Sequence, residues 1–195
     1  MIAETLKRSP LHAHAERFAR ASAASEGGFT IEELPFLSQI NLRAEAADVA
    51  VMERVRAALG FPLPLEPNAS SSSGDRTALW LGPDEWLVAG PEDQWELLDG
   101  LIRSALGDGP GAVTDVSANR TVIELRGRQA REILAHGCPI DLHPRHFGPG
   151  RCAQTLLAKA QVIVHLVNDT PAFHVYVRSS FAGYAADWLL DTVSE

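Results

Sequence analysis

Thr77–Ala89 reads TALWLGPDEWLVA, two short apolar runs on either side of Gly82-Pro83-Asp84, each run carrying a tryptophan. Pro83 presets φ for a turn position, and Gly82 and Asp84 are turn formers for separate reasons. The stretch predicts a β-hairpin with strands near 77–81 and 85–89. Its surroundings extend the pattern. Phe36–Leu42 reads as a strand. Glu45–Leu59 carries apolar residues at Ala47, Ala50, Val51, Val55, Ala58 and Leu59, which is helical spacing, and Gly60 supplies the stop. Pro91 fits the first turn of a helix after the hairpin, with Glu92 and Asp93 at its positive end. Trp95, Leu98, Ile102 and Ala105 or Leu106 mark the buried stripe of that helix, and Gly107 ends it. Ala112–Val116 follows as a strand. Strand, helix, hairpin, helix, strand is the β-α-β-β-α-β order of a ferredoxin-like unit.

The second half repeats the idea. Thr121–Leu125 is a strand, and Arg128–Ala135 is a short helix closed by Gly137. Ala153–Leu157, Val162–Val167 and Phe173–Val177 are strands. Phe181–Val193 is a closing helix with Tyr184, Trp188 and Leu189 on one side. Segments 77–106 and 162–193 share the pattern strand, Pro-containing turn, strand, helix, so we read a recurring supersecondary unit. Between the elements, Pro62–Pro67 runs into Asn68–Gly74, whose four consecutive serines read as an exposed loop. Cys138–Gly150, CPIDLHPRHFGPG, reads as a structured loop. The expected class is α+β, divided into an N-terminal arm (1–30), a ferredoxin-like lobe (31–116) and a second α+β lobe (117–195), packed as one unit. The arm has at most one short helix around His12–Ala24.

Bulk properties exclude several function classes. At 195 residues the chain can bury roughly 70% of its unfolded surface without a disulfide or metal staple. A net charge of −8 argues against nucleic acid or an anionic membrane as a partner. No run of about 18 apolar residues suggests a membrane span, and the N-terminus lacks the apolar core of a signal peptide. The expected location is the cytoplasm. Cys138 and Cys152 are read as buried or half-buried thiols, outside any CxxC pair.

Chemistry is sparse. His143 and His146 stand three apart in HPRH near Asp141, but prolines keep a helix from aligning them as metal ligands. Ser117 beside Asp115 lacks a nucleophile elbow or a signalled histidine, and Thr114–Asn119 reads as a strand end bonding local backbone. His165 and His174 lie on apolar strands and read as core or sheet-face histidines. Neither Gly107–Gly111 nor Gly148–Gly150 fits a phosphate-binding loop. The four tryptophans, Trp80, Trp86, Trp95 and Trp188, occupy positions that predict core. No catalytic, cofactor-binding or metal residue is expected on this chain.

Several segments together resemble one family. Arg8–Leu11, Gln39–Arg43, Ala78–Ala89, Thr114–Ser117, Gly137–Gly150, Ala153–Leu156 and Val177–Leu190 are similar, in order and over nearly the whole length, to the gamma subunit of heterotetrameric sarcosine oxidase. The sequence departs from that pattern at Ser179, where the family is more often doubly basic. The wider superfamily resembles the folate-binding module of the glycine-cleavage aminomethyltransferases. There a strand carries acidic residues that serve folate chemistry, and the matching strand here, Ala160–Leu166, places Val164 and His165 at the acidic positions.

The resemblance implies a non-catalytic subunit that supports a complex with alpha, beta and delta subunits, docking most directly on alpha. That complex oxidatively demethylates sarcosine to glycine, forming hydrogen peroxide and 5,10-methylenetetrahydrofolate or formaldehyde. FAD, FMN, NAD and tetrahydrofolate are then expected on the partner subunits. Arg8, Pro10, Leu11, His143, Phe147 and Arg178 are the candidate interface residues, because the Pro-rich arm and loop lose little entropy on binding. The arm is expected to order only on a partner. A stand-alone folate-binding or one-carbon transfer protein is the alternative.

Overall fold

The computed structural model describes residues 7–194. In chain order the elements are α1 (Ala15–Ala24), β1 (Thr30–Leu34), β2 (Leu37–Ala44), α2 (Val49–Leu59), β3 (Ser70–Ser73), β4 (Arg76–Gly82) and β5 (Glu85–Glu92), followed by α3 (Trp95–Leu106), β6 (Gly111–Asp115) and β7 (Arg120–Arg126), and then α4 (Ala130–Ala135), β8 (Arg151–Leu157), β9 (Ala160–Asn168), β10 (Ala172–Arg178) and α5 (Ala182–Thr192). Two five-stranded sheets result, in the orders β3-β4-β5-β2-β6 and β1-β7-β10-β9-β8, and every pairing is antiparallel.

Local chemistry explains most boundaries. Asp48 caps α2 by accepting the Val51 amide at 3.0 Å, and Gly60 ends that helix at φ +87°, which glycine alone reaches without cost. In the β4–β5 hairpin, Trp80 lies opposite Trp86 and Gly82 opposite Glu85, with a register shift between the two pairs. Pro83 cannot take the positive φ of the turns that match strand twist, and the shift absorbs the mismatch.

The sequence order conceals a symmetry. Strands β2, β4, β5 and β6 with α2 and α3 form the expected ferredoxin-like lobe, and β3 is added at its edge. In the second sheet β7, β9 and β10 with α4 and α5 repeat the pattern, and β8 is the added edge. The fourth strand is β1, which pairs with β7 from Thr30↔Arg126 to Leu34↔Val122. The sequence places residues from 31 onward in the first lobe, but the hydrogen bonds of Thr30–Leu34 go to the second sheet.

Alternation along each strand sorts the interior into three clusters. Even-numbered residues of β2 and β5, such as Ile40, Leu42, Trp86 and Val88, pack under α2 and α3. Ile123, Leu125, Val164, Phe173 and Val175 pack under α1, α4 and α5. Leu79, Leu87, Val122, Cys152, Ile163 and Tyr176 lie where the sheets face each other. The architecture is helix, sheet, sheet, helix. Both sheets thus bury both faces.

Four sequence expectations change. The four serines form β3, because Ser70–Ser73 pairs with Leu79–Arg76 and completes an edge ladder. Pro91 lies within β5, and α3 begins four residues later, so Trp95 stands at the helix start and is 40% exposed instead of core. Trp80 is half-buried. The arm, whose residues 1–6 lie outside the described residues, joins this chain's own core: Leu11 is 0% and Phe18 2% exposed. Glu33 pins it through Ser9 Oγ at 2.6 Å, and Asp187 on α5 pairs Arg17 at 2.5 Å.

Candidate functional site

Strands β7 and β10 place polar residues at successive inward positions between the sheets, around an apolar middle. On β10 these are His174, Tyr176 and Arg178, and opposite them on β7 stand Glu124, Val122 and Arg120. At two residues per inward position the two polar ends are about 13 Å apart.

At one end, Glu124 accepts from His174 Nε2 at 3.0 Å and from Arg126 Nη2 at 2.8 and 3.0 Å. The His174 bond, with help from Arg126, holds the Glu124 carboxyl below its usual range against the opposing effect of burial. His165 lies opposite His174, with ring centroids 6.0 Å apart, and its Nε2 meets Ser70 Oγ at 2.9 Å. Its Nδ1 is buried with no hydrogen-bond partner among the described residues. Burial, and then the neighbouring His174, push its pKa down to about 3. Such an imidazole holds a proton too weakly to serve as a general base toward the Ser70 hydroxyl near neutrality. The Ser–His contact is therefore structural. It ties the edge strand β3 of one sheet to the interior strand β9 of the other, beside Ser70 N donating to Gly150 O at 2.7 Å.

At the other end, Arg120 and Arg178 face each other beside a cleft of about 470 Å³ that also borders Pro139, Leu156, Gln161 and Ile163. Burial, and then Arg178, lower the Arg120 pKa. Glu85 lies within electrostatic reach, but its carboxylate is held by Asn41 and Arg43, both at 2.7 Å.

Among the residues read as candidates from sequence, Arg8, Pro10, His143 and Arg178 are exposed. Leu11 and Phe147 are buried within this chain and offer no surface contact. Phe147 stacks on Phe173 at 6.4 Å, and Arg131 donates to the Leu142 and Phe147 carbonyls, so the 138–150 loop is anchored from inside. Asp141 accepts the His143 amide at 2.8 Å and His143 Nδ1 accepts the Arg145 amide at 3.2 Å, so both side chains bind backbone of their own loop. Ser117 Oγ takes the Gln39 amide at 2.9 Å and donates to Asp115 at 2.5 Å, closing the strand as read. Among the described residues no cluster of three or more metal-binding side chains forms, and no helix is long and apolar enough to cross a membrane. Val164 packs beneath the helices and His165 lies buried between the sheets, and neither side chain carries a carboxylate. The missed residues are Arg120 and Glu124. Their signal is a pair of charged residues four positions apart, on one face of the largely apolar β7, RTVIELR.

The chain matches the family described as sarcosine oxidase, gamma subunit, over residues 43–195. It is 38% identical over 192 residues to sarcosine oxidase subunit gamma of an Arthrobacter species, covering 98% of this chain and 92% of that protein. A chain of heterotetrameric sarcosine oxidase from Corynebacterium sp. U-96, solved in complex with pyrrole 2-carboxylate, superposes with a TM-score of 0.88 at 36% identity, covering 97% of this chain and 95% of that one. The glycine cleavage system aminomethyltransferase T of Bartonella henselae superposes with a TM-score of 0.69 at 13% identity, over 95% of this chain and 57% of that one. The last likeness is one of fold.

Proposed function

The chain belongs to the sarcosine oxidase gamma subunit family, and from that premise we propose that it is the assembly-supporting, non-catalytic subunit of a heterotetrameric sarcosine oxidase. The observation that carries the reading is the superposition on a chain of the Corynebacterium heterotetramer along 97% of this chain's length. In this reading the complex demethylates sarcosine to glycine, with hydrogen peroxide and 5,10-methylenetetrahydrofolate or formaldehyde as further products. FAD, FMN, NAD and tetrahydrofolate sit on the alpha, beta and delta subunits, and this chain docks chiefly on alpha in the cytoplasm.

The surface supports a docking role. Val49, Leu65, Leu97 and Phe181 are 73%, 59%, 52% and 46% exposed and are apolar side chains available to a partner. Arg8, Pro10 and His143, all exposed, remain the proposed contacts to a partner subunit. Within this chain, Ser117 and His165 are both engaged in holding strands together, which supports chemistry on another subunit.

Co-expression of the alpha, beta and delta subunits with and without this chain tests the reading. Omission is expected to leave no stable heterotetramer-sized species on gel filtration and to reduce sarcosine-dependent oxygen uptake. A trimer of full activity and equal thermal stability would overturn it. Saturable binding of tetrahydrofolate to the isolated chain by calorimetry would overturn the placement of folate on the partners.

A further inference from the structure

Arg178 and Arg120 are the last cross-strand pair of the β10–β7 ladder, directly opposite each other and on the same face. Cβ atoms in such a pair lie about 4.5–5.5 Å apart, and like charges placed there are destabilising. Among the described residues neither guanidinium has a carboxylate within ion-pair distance. Arg120 is half-buried, so its charge is only partly relieved by water. The nearest acid, Glu85, is already bonded to Arg43 and Asn41. The sheet thus carries an uncompensated double positive charge at the mouth of a cleft, on a chain whose net charge is −8.

We propose that this cleft is a binding site for a diffusible small-molecule oxyanion, a carboxylate or phosphate held between Arg120 and Arg178. Two guanidinium forks supply the charge-assisted, bidentate donors that such groups require. A volume of about 470 Å³ exceeds a bare ion and falls within the range of small-molecule sites, so the anionic group is one end of a larger ligand. Leu156, Ile163 and Pro139 offer apolar contact to its body, and Gln161 offers a polar one. An anion between the guanidiniums converts their repulsion into two attractive contacts. The site is separate from the subunit assignment, which stands or falls on the co-expression experiment.

The test is titration calorimetry and thermal melting of the full-length chain with succinate and with inorganic phosphate, at constant ionic strength against chloride. Saturable binding of at least one probe is expected, weakened at least tenfold in Arg120→Gln and in Arg178→Gln. Without probe, Arg178→Gln is expected to melt higher than the parent chain, because it removes a like-charge pair. With probe at 100-fold above the parent's Kd, the parent is expected to gain about 5–10 °C and the variant about half of that or less. If Arg120→Gln does not fold, the exposed Arg178→Gln carries the test alone. No saturable binding of either probe, or equal binding by parent and variants, overturns the proposal. Repeating the titration on the assembled complex separates the sources. Binding that disappears there assigns the cleft to a partner side chain and overturns a diffusible ligand.

Discussion

Replacing His165 by glutamine should remove a defined part of the chain's acid sensitivity. The imidazole is 5% exposed, with Ser70 at its Nε2, Cys152 and His174 opposite it on the neighbouring strands, and no partner at Nδ1 among the described residues. Burial holds its pKa near 3, against 6.5 for a free histidine. Between those values the unfolded chain binds a proton that the folded chain refuses, so stability is complete above pH 6.5 and falls as pH falls. The limiting slope is about 1.4 kcal/mol per pH unit, and integration from pH 7 to pH 5 gives a loss of about 2 kcal/mol from this residue. Glutamine carries a polar atom to the Nε2 position but does not titrate. Urea unfolding followed by tryptophan fluorescence at pH 7, 6 and 5 should therefore show the parent losing about 2 kcal/mol more than His165→Gln, whatever offset the variant has at pH 7. Glu124, held low chiefly by its His174 bond, also loses stabilisation as pH falls through its folded pKa, but it does so in both proteins. Equal losses in the two proteins would show that His165 is not kept neutral by burial. If glutamine prevents folding, His165→Leu carries the same comparison.

Three further outcomes follow from packing. Leu11→Ala should cost about 2–5 kcal/mol in urea unfolding because Leu11 is fully buried, whereas Arg8→Ala should leave the midpoint unchanged; the reverse order would return Leu11 to the surface. Gly127→Ala should cost about 3 kcal/mol, since its φ is +123° and a Cβ would lie 2.6 Å from the Gly28 carbonyl oxygen, whereas Gly60→Ala at φ +87° in open space should cost about 1 kcal/mol. Equal costs would mean that the Gly28–Gly127 approach is looser than described. Burial raises both Cys138 and Cys152 to about 11, so at pH 8 an aromatic disulfide reagent should label neither thiol quickly until urea unfolds the chain; rapid labelling of the folded chain would refute their burial.

The elements that were legible in the sequence are those fixed by neighbours a few residues apart. The β4–β5 hairpin, the Gly60 stop of α2, the Leu98–Ile102–Ala105 stripe and the β9–β10 pair all form where turn chemistry and periodicity place them, whereas α2 begins at Val49 behind its Asp48 cap and not at Glu45. The Thr114–Asn119 strand end is legible as a local hydrogen-bonding segment for the same reason. Trp95 was misread because periodicity identifies a helix face but not where that face runs out beyond the sheet. The serine run was misread because its strand character comes from β4 alone. The site was the least legible part. Arg120 and Arg178 are 58 positions apart in sequence, and only the antiparallel register of β7 and β10 sets them side by side.

By itself the sequence determined the hairpin, the helix stops, most of the strands, and the segments that tie the chain to its family. The tertiary structure decided which strand completes which sheet. β1, TIEEL, has weak alternation of its own and becomes the fourth strand of the second lobe only by pairing with residues about 90 positions away. It also decided that the arm belongs to the core, that His165 is neutral, and that two arginines share one cleft. The reason is physical. Turns and helices are stabilised by contacts a few residues long, whereas sheet order, burial and the pairing of charges are set by the packing of surfaces that meet only when the whole chain has folded.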